Sequence, residues 1–448
     1  MLNKNTLSGF VCATLLASSV VFVPALVGAS QAYAQNTETQ NKKISERTTK
    51  RTPAMRTRVY DQLARAQALS DEGKTGEAVE VLDLVKNKAS SMNSYELAMM
   101  YNFYGFVHYN VEDFDKAIAS FEQVVEQQPI PEAFEQSTLF SLAQLHMMRG
   151  NYDKTIEFLE RWESLQSGQL PAKNLVLKAQ AMYQKKDYLA ASEYINEAIS
   201  QVESSELGFQ VDENWYVLQR AVYFELKQPQ KVADVLVKMV RLFNEPKYWL
   251  QLAGMYGELG EEKKQLALIE AAHQQGYVTS GPEMFNLAQI YYYHQMPFKA
   301  ATILEQGIKQ GKLENNLQNL KFLSQSWILA KESEKAVPVM LAAAELSTDG
   351  ELDAQLAQIY LNMEKWSQAV AASKTALNKG GLRNQGIAHL TMGMAYFNIG
   401  DYQHSIEQLN QAQKYERSRG TAQQWAKYVE TQRSTFARIQ SSVALSDS

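Results

Sequence analysis

The sequence predicts an all-α protein, a right-handed superhelical α-solenoid of about ten stacked helical hairpins. Three observations support this fold class. Helix-favouring residues are plentiful, whereas 448 residues contain only 10 prolines and 22 glycines. The stretch from Tyr101 to Pro129 has a spacing of small and large residues that returns along the chain. Each copy contains two apolar segments separated by a turn, such as Gly400-Asp401-Tyr402, so the repeated element is a helical hairpin.

The first 34 residues are typical of an export signal. Lys4 precedes an apolar run from Leu7 to Ala29, and the small residues Ala32 and Ala34 suit cleavage before Gln35. The alternative is an uncleaved inner-membrane anchor that faces the periplasm, because the run is about as long as a bilayer requires. The sequence therefore predicts a signal peptide at residues 1–34 and a periplasmic location.

A basic segment follows the signal. Asn41 to Arg58 contain seven Lys or Arg and one Glu, and residues 35–58 have little to bury, which predicts a flexible linker. The chain has a net charge of -5, and Lys4 and Glu38 cancel, so residues 59–448 are strongly acidic. An acidic body argues against a nucleic-acid partner. The basic arm at residues 42–58 is either a solvated tether or the one membrane contact, through anionic lipid head groups.

The repeated pattern defines ten repeats over residues 59–419. In each repeat the eighth and twentieth positions are mostly small and the twenty-fourth is mostly large and apolar, which predicts two helices that cross closely. A single hairpin cannot bury its own apolar faces, so the hairpins must stack. The repeats begin at Val59, Ala98, Gln136, Ala172, Glu213, Pro246, Gly281, Leu317, Gly350 and Gly386.

The segment after the last repeat predicts a helix that caps the array. Residues 420–440 place Trp425, Val429 and Phe436 along one side of a helix, as a terminal cap requires. Residues 441–448 have little to bury and are predicted to form a disordered tail.

At these positions the chain resembles the tetratricopeptide repeat family over about residues 59–419. The best single match has Gly105, Ala117 and Phe121 at signature positions, although His108 replaces the usual tyrosine. Repeats five and six depart most, because Arg220 stands at an eighth position and Gln265 at a twentieth. The register of these two repeats stays open, and the array is expected to bend or to be interrupted there.

No residue pattern in the sequence predicts catalysis, a metal site or a cofactor. The six histidines lack the His-x-x-x-His spacing of a metal site, and a phosphate-binding glycine loop is missing. His108 and His146 fall at the eleventh position of consecutive repeats, where they either pack between helices or have a weak metal or pH role. The sequence therefore predicts a protein that is not an enzyme.

The residue after each small eighth position suggests a binding surface, because the resemblance implies that this ninth position faces the inner surface. Glutamine stands there in six of ten repeats. An amide both donates and accepts, so a row of amides can bond the backbone of an extended peptide; the alternative is an ordinary polar surface. Neighbouring aromatic side chains form either peptide pockets or helix packing. The candidate protein- or peptide-binding residues are Gln67, Phe106, Tyr109, Gln144, Gln180, Gln289, Tyr292, Gln325 and Gln358.

Together these features predict an exported, non-enzymatic scaffold or adaptor that binds an envelope protein or peptide segment in a concave groove. The layout of signal, basic arm and long repeat array resembles periplasmic repeat proteins that accompany TonB-ExbB-ExbD systems. That resemblance implies an accessory role in TonB-dependent iron uptake. The alternative is an accessory of outer-membrane, polysaccharide or pilus export.

The export signal makes a direct prediction about the mature protein. If the signal is cleaved, N-terminal sequencing of the protein from a native host should read from Gln35, and osmotic shock should release the protein. An intact N-terminus in the inner-membrane fraction would instead establish the anchored alternative.

Overall fold

The computed structural model describes residues 53–166, 168–205 and 210–446, with side chains up to residue 436. The predicted signal peptide and most of the basic arm lie outside these residues. Every regular element in the described part is helical, which confirms the predicted all-α class. None of the helices in this part is both long and apolar enough to cross a membrane.

The described residues divide into two compact units, one that ends at Glu261 and one that begins at Glu262. The described helices of the N-terminal unit are α1 (Thr57–Asp71), α2 (Thr75–Lys86), α3 (Ser94–Asn110), α4 (Phe114–Glu126), α5 (Glu132–Met148), α6 (Tyr152–Ser164), α7 (Ala172–Gln184), α8 (Tyr188–Glu203), α9 (Glu213–Glu225), α10 (Pro229–Phe243) and α11 (Pro246–Glu258), with a short 3-10 helix at Ala89–Ser91. Those of the C-terminal unit are α12 (Glu262–Gln274), α13 (Gly281–Tyr293), α14 (Pro297–Lys309), α15 (Leu317–Leu329), α16 (Ser333–Leu346), α17 (Glu351–Asn362), α18 (Trp366–Lys379), α19 (Gln385–Ile399), α20 (Tyr402–Ala412) and α21 (Glu416–Ser446).

Odd-numbered helices up to α19 are the first helices of the ten predicted repeats, and even-numbered helices up to α20 are the second. Within each unit, α1 packs on α2, α3 on α4 and so on, and each second helix also contacts the next first helix. Several neighbouring first helices also contact each other directly, namely α1 and α3, α5 and α7, α7 and α9, and α17 and α19. The first helices therefore form one layer of each unit and the second helices the other.

The fifteenth position of every repeat has a left-handed backbone, which fixes the register of all ten. These residues are Gly73, Glu112, Gly150, Lys186, Lys227, Gly260, Gln295, Lys331, Glu364 and Gly400, with φ between 50° and 90°. In repeat five, for example, the amide of Lys227 bonds the carbonyl of Phe224 and the amide of Gln228 bonds that of Tyr223. This pair of bonds is the Schellman closure of a helix. Its presence at Lys227 and Gly260 resolves the register of repeats five and six.

The positions predicted to lie at the helix crossings are buried. The small eighth and twentieth residues of repeat two, Gly105 and Ala117, are both inaccessible, and Phe121 at the twenty-fourth is 3% exposed. Gln265, the polar residue at the twentieth position of repeat six, is half-buried. The division between the two units falls in this repeat, between α11 and α12.

The ends of the array differ from the predicted boundaries. Residues 57 and 58 were assigned to the linker, but α1 begins at Thr57, because Arg56 is bound to a later helix. Its Nη2 lies 2.6 Å from the Glu96 carboxylate, a bond that lowers the pKa of buried Glu96 to about 2. At the other end α21 continues to Ser446, six residues into the segment assigned to a disordered tail.

The crossing in repeat two gives a stability prediction. A Cβ at Gly105 would lie 2.5 Å from the nearest ring carbon of Phe121, so Gly105→Ala should overpack this crossing and cost about 1–3 kcal/mol. Gly420 in α21 is the control, because a Cβ there meets nothing within 4 Å and alanine should stabilise a helix interior by up to about 1 kcal/mol. Denaturation midpoints that move alike for both variants would contradict the assigned crossing.

Candidate peptide-binding surface

The ninth position lies at the edge of the buried side of each first helix. Its predecessor, the eighth residue, is fully buried against the second helix in most repeats, as Ala143 and Ala288 are. One residue further along a helix is a rotation of about 100°, which turns the ninth side chain out of the hairpin interior. We call the six amides at this position the glutamine row: Gln67, Gln144, Gln180, Gln289, Gln325 and Gln358.

The structure places the glutamine row in two groups. Gln67, Gln144 and Gln180 belong to the N-terminal unit and are half-buried. In the C-terminal unit Gln289 is half-buried, and Gln325 and Gln358 are exposed. Members of one group stand at equal positions of helices in one layer, so their side chains face the same side of that layer.

Most of these amides have no partner among the residues that the structure describes. Gln67 donates from Nε2 to Asp71 Oδ1 at 2.7 Å, one turn further along its own helix. The other five make no side-chain hydrogen bond to any residue that the structure describes. An amide on an accessible surface without a protein partner bonds water, and it can exchange that water for a ligand at little cost.

The spacing of the layer suits an extended chain. Packed helices lie about 8–10 Å apart, and an extended peptide advances about 3.3 Å per residue. Successive amides therefore meet about every third residue of a peptide that crosses the first helices. Each amide can then donate to a peptide carbonyl and accept from a peptide N–H.

The predicted aromatic residues are engaged in packing. The Phe106 ring meets Phe121 edge-on at 5.4 Å between centroids, and Tyr109 meets Phe114 at 5.7 Å, so both brace the hairpin of repeat two. Tyr292 lies on Phe322 of the next first helix at 5.4 Å. These contacts favour the packing alternative that the sequence left open.

The two histidines of the eleventh position also face aromatic rings. His108 stacks on Tyr104, and His146 stacks on Phe158 at 5.2 Å with Nε2 lying 3.6 Å from Glu122. Burial lowers the pKa of both imidazoles, which holds them neutral near pH 7. The described residues contain no group of three potential metal ligands.

One buried charged residue was noticed in the sequence only as a departure from the pattern. Arg220 occupies the eighth position of repeat five and is 7% exposed. The sequence indicated it only through its charge, because the eighth position of the other repeats holds a small residue. Only the structure shows which groups surround it.

The fold and surface together define a helical-repeat protein with an amide-bearing layer of first helices. A profile of the tetratricopeptide repeat matches residues 107–169, and a second profile of the same repeat matches residues 388–419. These segments lie in repeats two, three and ten, as numbered from the sequence. Residues 107–169 and 388–419 are thus tetratricopeptide repeats.

Several solved structures are similar to parts of the chain. YrrB, described as a TPR protein with an unusual peptide-binding site, is 17% identical, and the match covers 44% of this chain and 99% of that one with a TM-score of 0.35. The TPR2AB domain of yeast Sti1, in a complex with pHSP90, is 16% identical over 59% of this chain and 98% of that one, with a TM-score of 0.35. The C-terminal part of a TPR protein from Cytophaga hutchinsonii is 16% identical over 64% and 95%, with a TM-score of 0.34. A search of curated protein sequences finds no match.

Measurements of stability can test whether the aromatic residues pack and the amides of the ninth position do not. Tyr292→Ala removes a half-buried ring from Phe322 and should cost roughly 1–3 kcal/mol, less than the loss of a fully buried aromatic. Gln325→Ala removes an exposed side chain without a partner and should change the free energy of unfolding by no more than about 0.5 kcal/mol. Chemical denaturation measures both. Equal losses would show that the ninth position is structural.

Proposed function

We propose that the protein is an exported, non-enzymatic adaptor that holds an extended segment of an envelope protein across its first helices. The observation behind this proposal is the set of five row amides that make no bond within the described chain. Stability does not require glutamine at these positions, since the buried contacts are made by other residues of the same helices. A binding role accounts for amides that the fold itself leaves unused.

The C-terminal unit offers the longest unbroken part of the row. Gln289, Gln325 and Gln358 stand in three consecutive repeats, and accessibility increases from the first to the other two. Backbone recognition by amides is indifferent to most peptide side chains. The expected partner is therefore a class of extended segments, selected by additional contacts beside the row.

The site of action and the pathway are proposed from the layout of the sequence. The signal segment at residues 1–34 directs the chain to the periplasm, with Gln35 as the mature N-terminus. The signal, basic arm and repeat array support an accessory role in TonB-dependent iron uptake. Cross-linking in the envelope, followed by identification of the captured protein, tests this role: TonB, ExbB or ExbD would support it, and only export components would contradict it.

The binding surface is tested by a triple variant, Gln289→Ala, Gln325→Ala and Gln358→Ala. A hydrogen bond contributes roughly 0.5–1.5 kcal/mol, so loss of three should weaken the captured partner by about tenfold to a thousandfold. Isothermal titration with the purified partner measures the change. Circular dichroism and melting should stay close to those of the unmodified protein.

The matched control is a triple change on the second helices of the same three repeats. Gln306, Glu345 and Gln368 are exposed side chains on α14, α16 and α18, and replacing them by alanine should leave binding unchanged. If the row variant and the control both bind like the unmodified protein, the glutamine row is an ordinary polar surface.

A further inference from the structure

Arg220 is a buried cation without a counter-ion. The described chain buries four other Lys, Arg, Asp or Glu side chains, and each has an oppositely charged partner within 3.0 Å. The pairs are Glu96 with Arg56, Glu135 with Arg161, Lys178 with Glu163, and Asp353 with Lys379. Arg220, 7% exposed, has no carboxylate partner among the described residues.

The guanidinium is bonded incompletely. Its Nη1 donates to the side-chain oxygen of Gln251 on α11, whereas its buried Nε has no acceptor. Burial lowers the pKa of Arg220, but arginine keeps its proton at any physiological pH. A buried positive charge therefore rests on one neutral amide, and an unpaired buried charge is among the costlier features that a fold can contain.

The surface beside Arg220 has unusually small side chains. The ninth positions of repeats five and six are Ala221, the next residue on α9, and Gly254, one turn beyond Gln251 on α11. Both are partly accessible. The glutamine row is interrupted at these two repeats, so the ninth position contributes no long side chain there.

From these observations we infer that Arg220 is a binding site for a carboxylate of the bound peptide. The carboxylate would displace the Gln251 oxygen and accept from the guanidinium as a fork. Such charge-assisted, bidentate bonds are roughly twice as strong as neutral ones. In the free protein the side chain of Gln251 occupies the position of this carboxylate, because an uncharged amide is readily displaced by an anion.

The surroundings favour a single carboxylate over a phosphate group. Lys247, the second residue of α11, is bonded to Glu213 at 2.8 Å, so its charge is already balanced. One guanidinium balances one negative charge. The carboxylate comes either from an Asp or Glu side chain or from the free C-terminus of the partner, and the inference rests on the proposed peptide-binding function.

Three pools of fluorescent nonapeptides with otherwise random sequence distinguish a side-chain carboxylate from a C-terminal one. One pool ends in a free carboxylate and lacks acidic side chains, the second is amidated and contains one Glu, and the third is amidated and has no acid. Fluorescence anisotropy with the full mature chain should show one acidic pool binding about tenfold tighter than the neutral pool. Arg220→Gln should remove that advantage.

A stability measurement separates a binding role from a structural one. Arg220→Met removes an unpaired buried charge, so its melting temperature should be no lower than that of the unmodified protein. Lys178→Met is the matched control: it removes a buried cation that has a partner, leaves Glu163 unpaired, and should lower the melting temperature. An equal fall in both variants would show that Arg220 is structural and would overturn the inference.

The peptide pools also distinguish failure of the carboxylate site from failure of the proposed peptide-binding function. If all three pools bind the unmodified protein equally, the carboxylate site is wrong and peptide binding stands. If the acidic advantage persists in Arg220→Gln, the site lies elsewhere and the assignment of Arg220 is wrong. If none of the pools binds, both the inference and the proposed function fail.

Discussion

Within each unit, the close crossing of the two helices of a hairpin is the constraint on which the rest of the structure depends. At repeat two the absence of a side chain on Gly105 lets the Phe121 ring occupy the place where a Cβ would be. Repeat ten uses the same device, with Gly393 against Leu409. Because the backbones approach this closely, large residues of the second helix reach past the crossing and fill the space between layers.

The turn between the two helices keeps that crossing at the same place in the hairpins that lie within one unit. A left-handed residue always stands seven positions after the eighth, and the Schellman bonds around it end the first helix at a defined point. Only four of the ten left-handed residues are glycine. At Lys227 and Glu364, for example, an ordinary side chain accepts an unfavourable conformation, which shows that packing of the hairpin overrides local backbone preference.

Because stacking uses one side of each first helix, another side is left free to evolve for binding. None of the row glutamines is fully buried, so stability and the proposed recognition can vary separately. At Arg220 the requirement of close packing and the proposed binding role fall on the same residue. It occupies a position that packing reserves for a small residue, and a fold that tolerates such a conflict commonly does so at a functional site.

The sequence by itself determined the all-α class, the succession of helical hairpins and the positions of the helix crossings within each unit. These follow from spacing along one chain, since a hairpin is a local structure whose small and large residues recur at fixed intervals. It also located the amides of the ninth position. It left open the register at Lys227 and Gly260, because neither Arg220 nor Gln265 obeyed the size pattern.

Only the tertiary structure decided which of the noticed side chains are engaged. Phe106 and Tyr292 were equally suited to a peptide pocket or to packing, and the choice depends on where Phe121 and Phe322 stand in three dimensions. Likewise, Arg220 was noticed in the sequence only as a departure from the size pattern, and only its surroundings show that it pairs with no carboxylate among the described residues. Burial and pairing are properties of contacts between distant segments, and a linear sequence does not contain the distances that decide them.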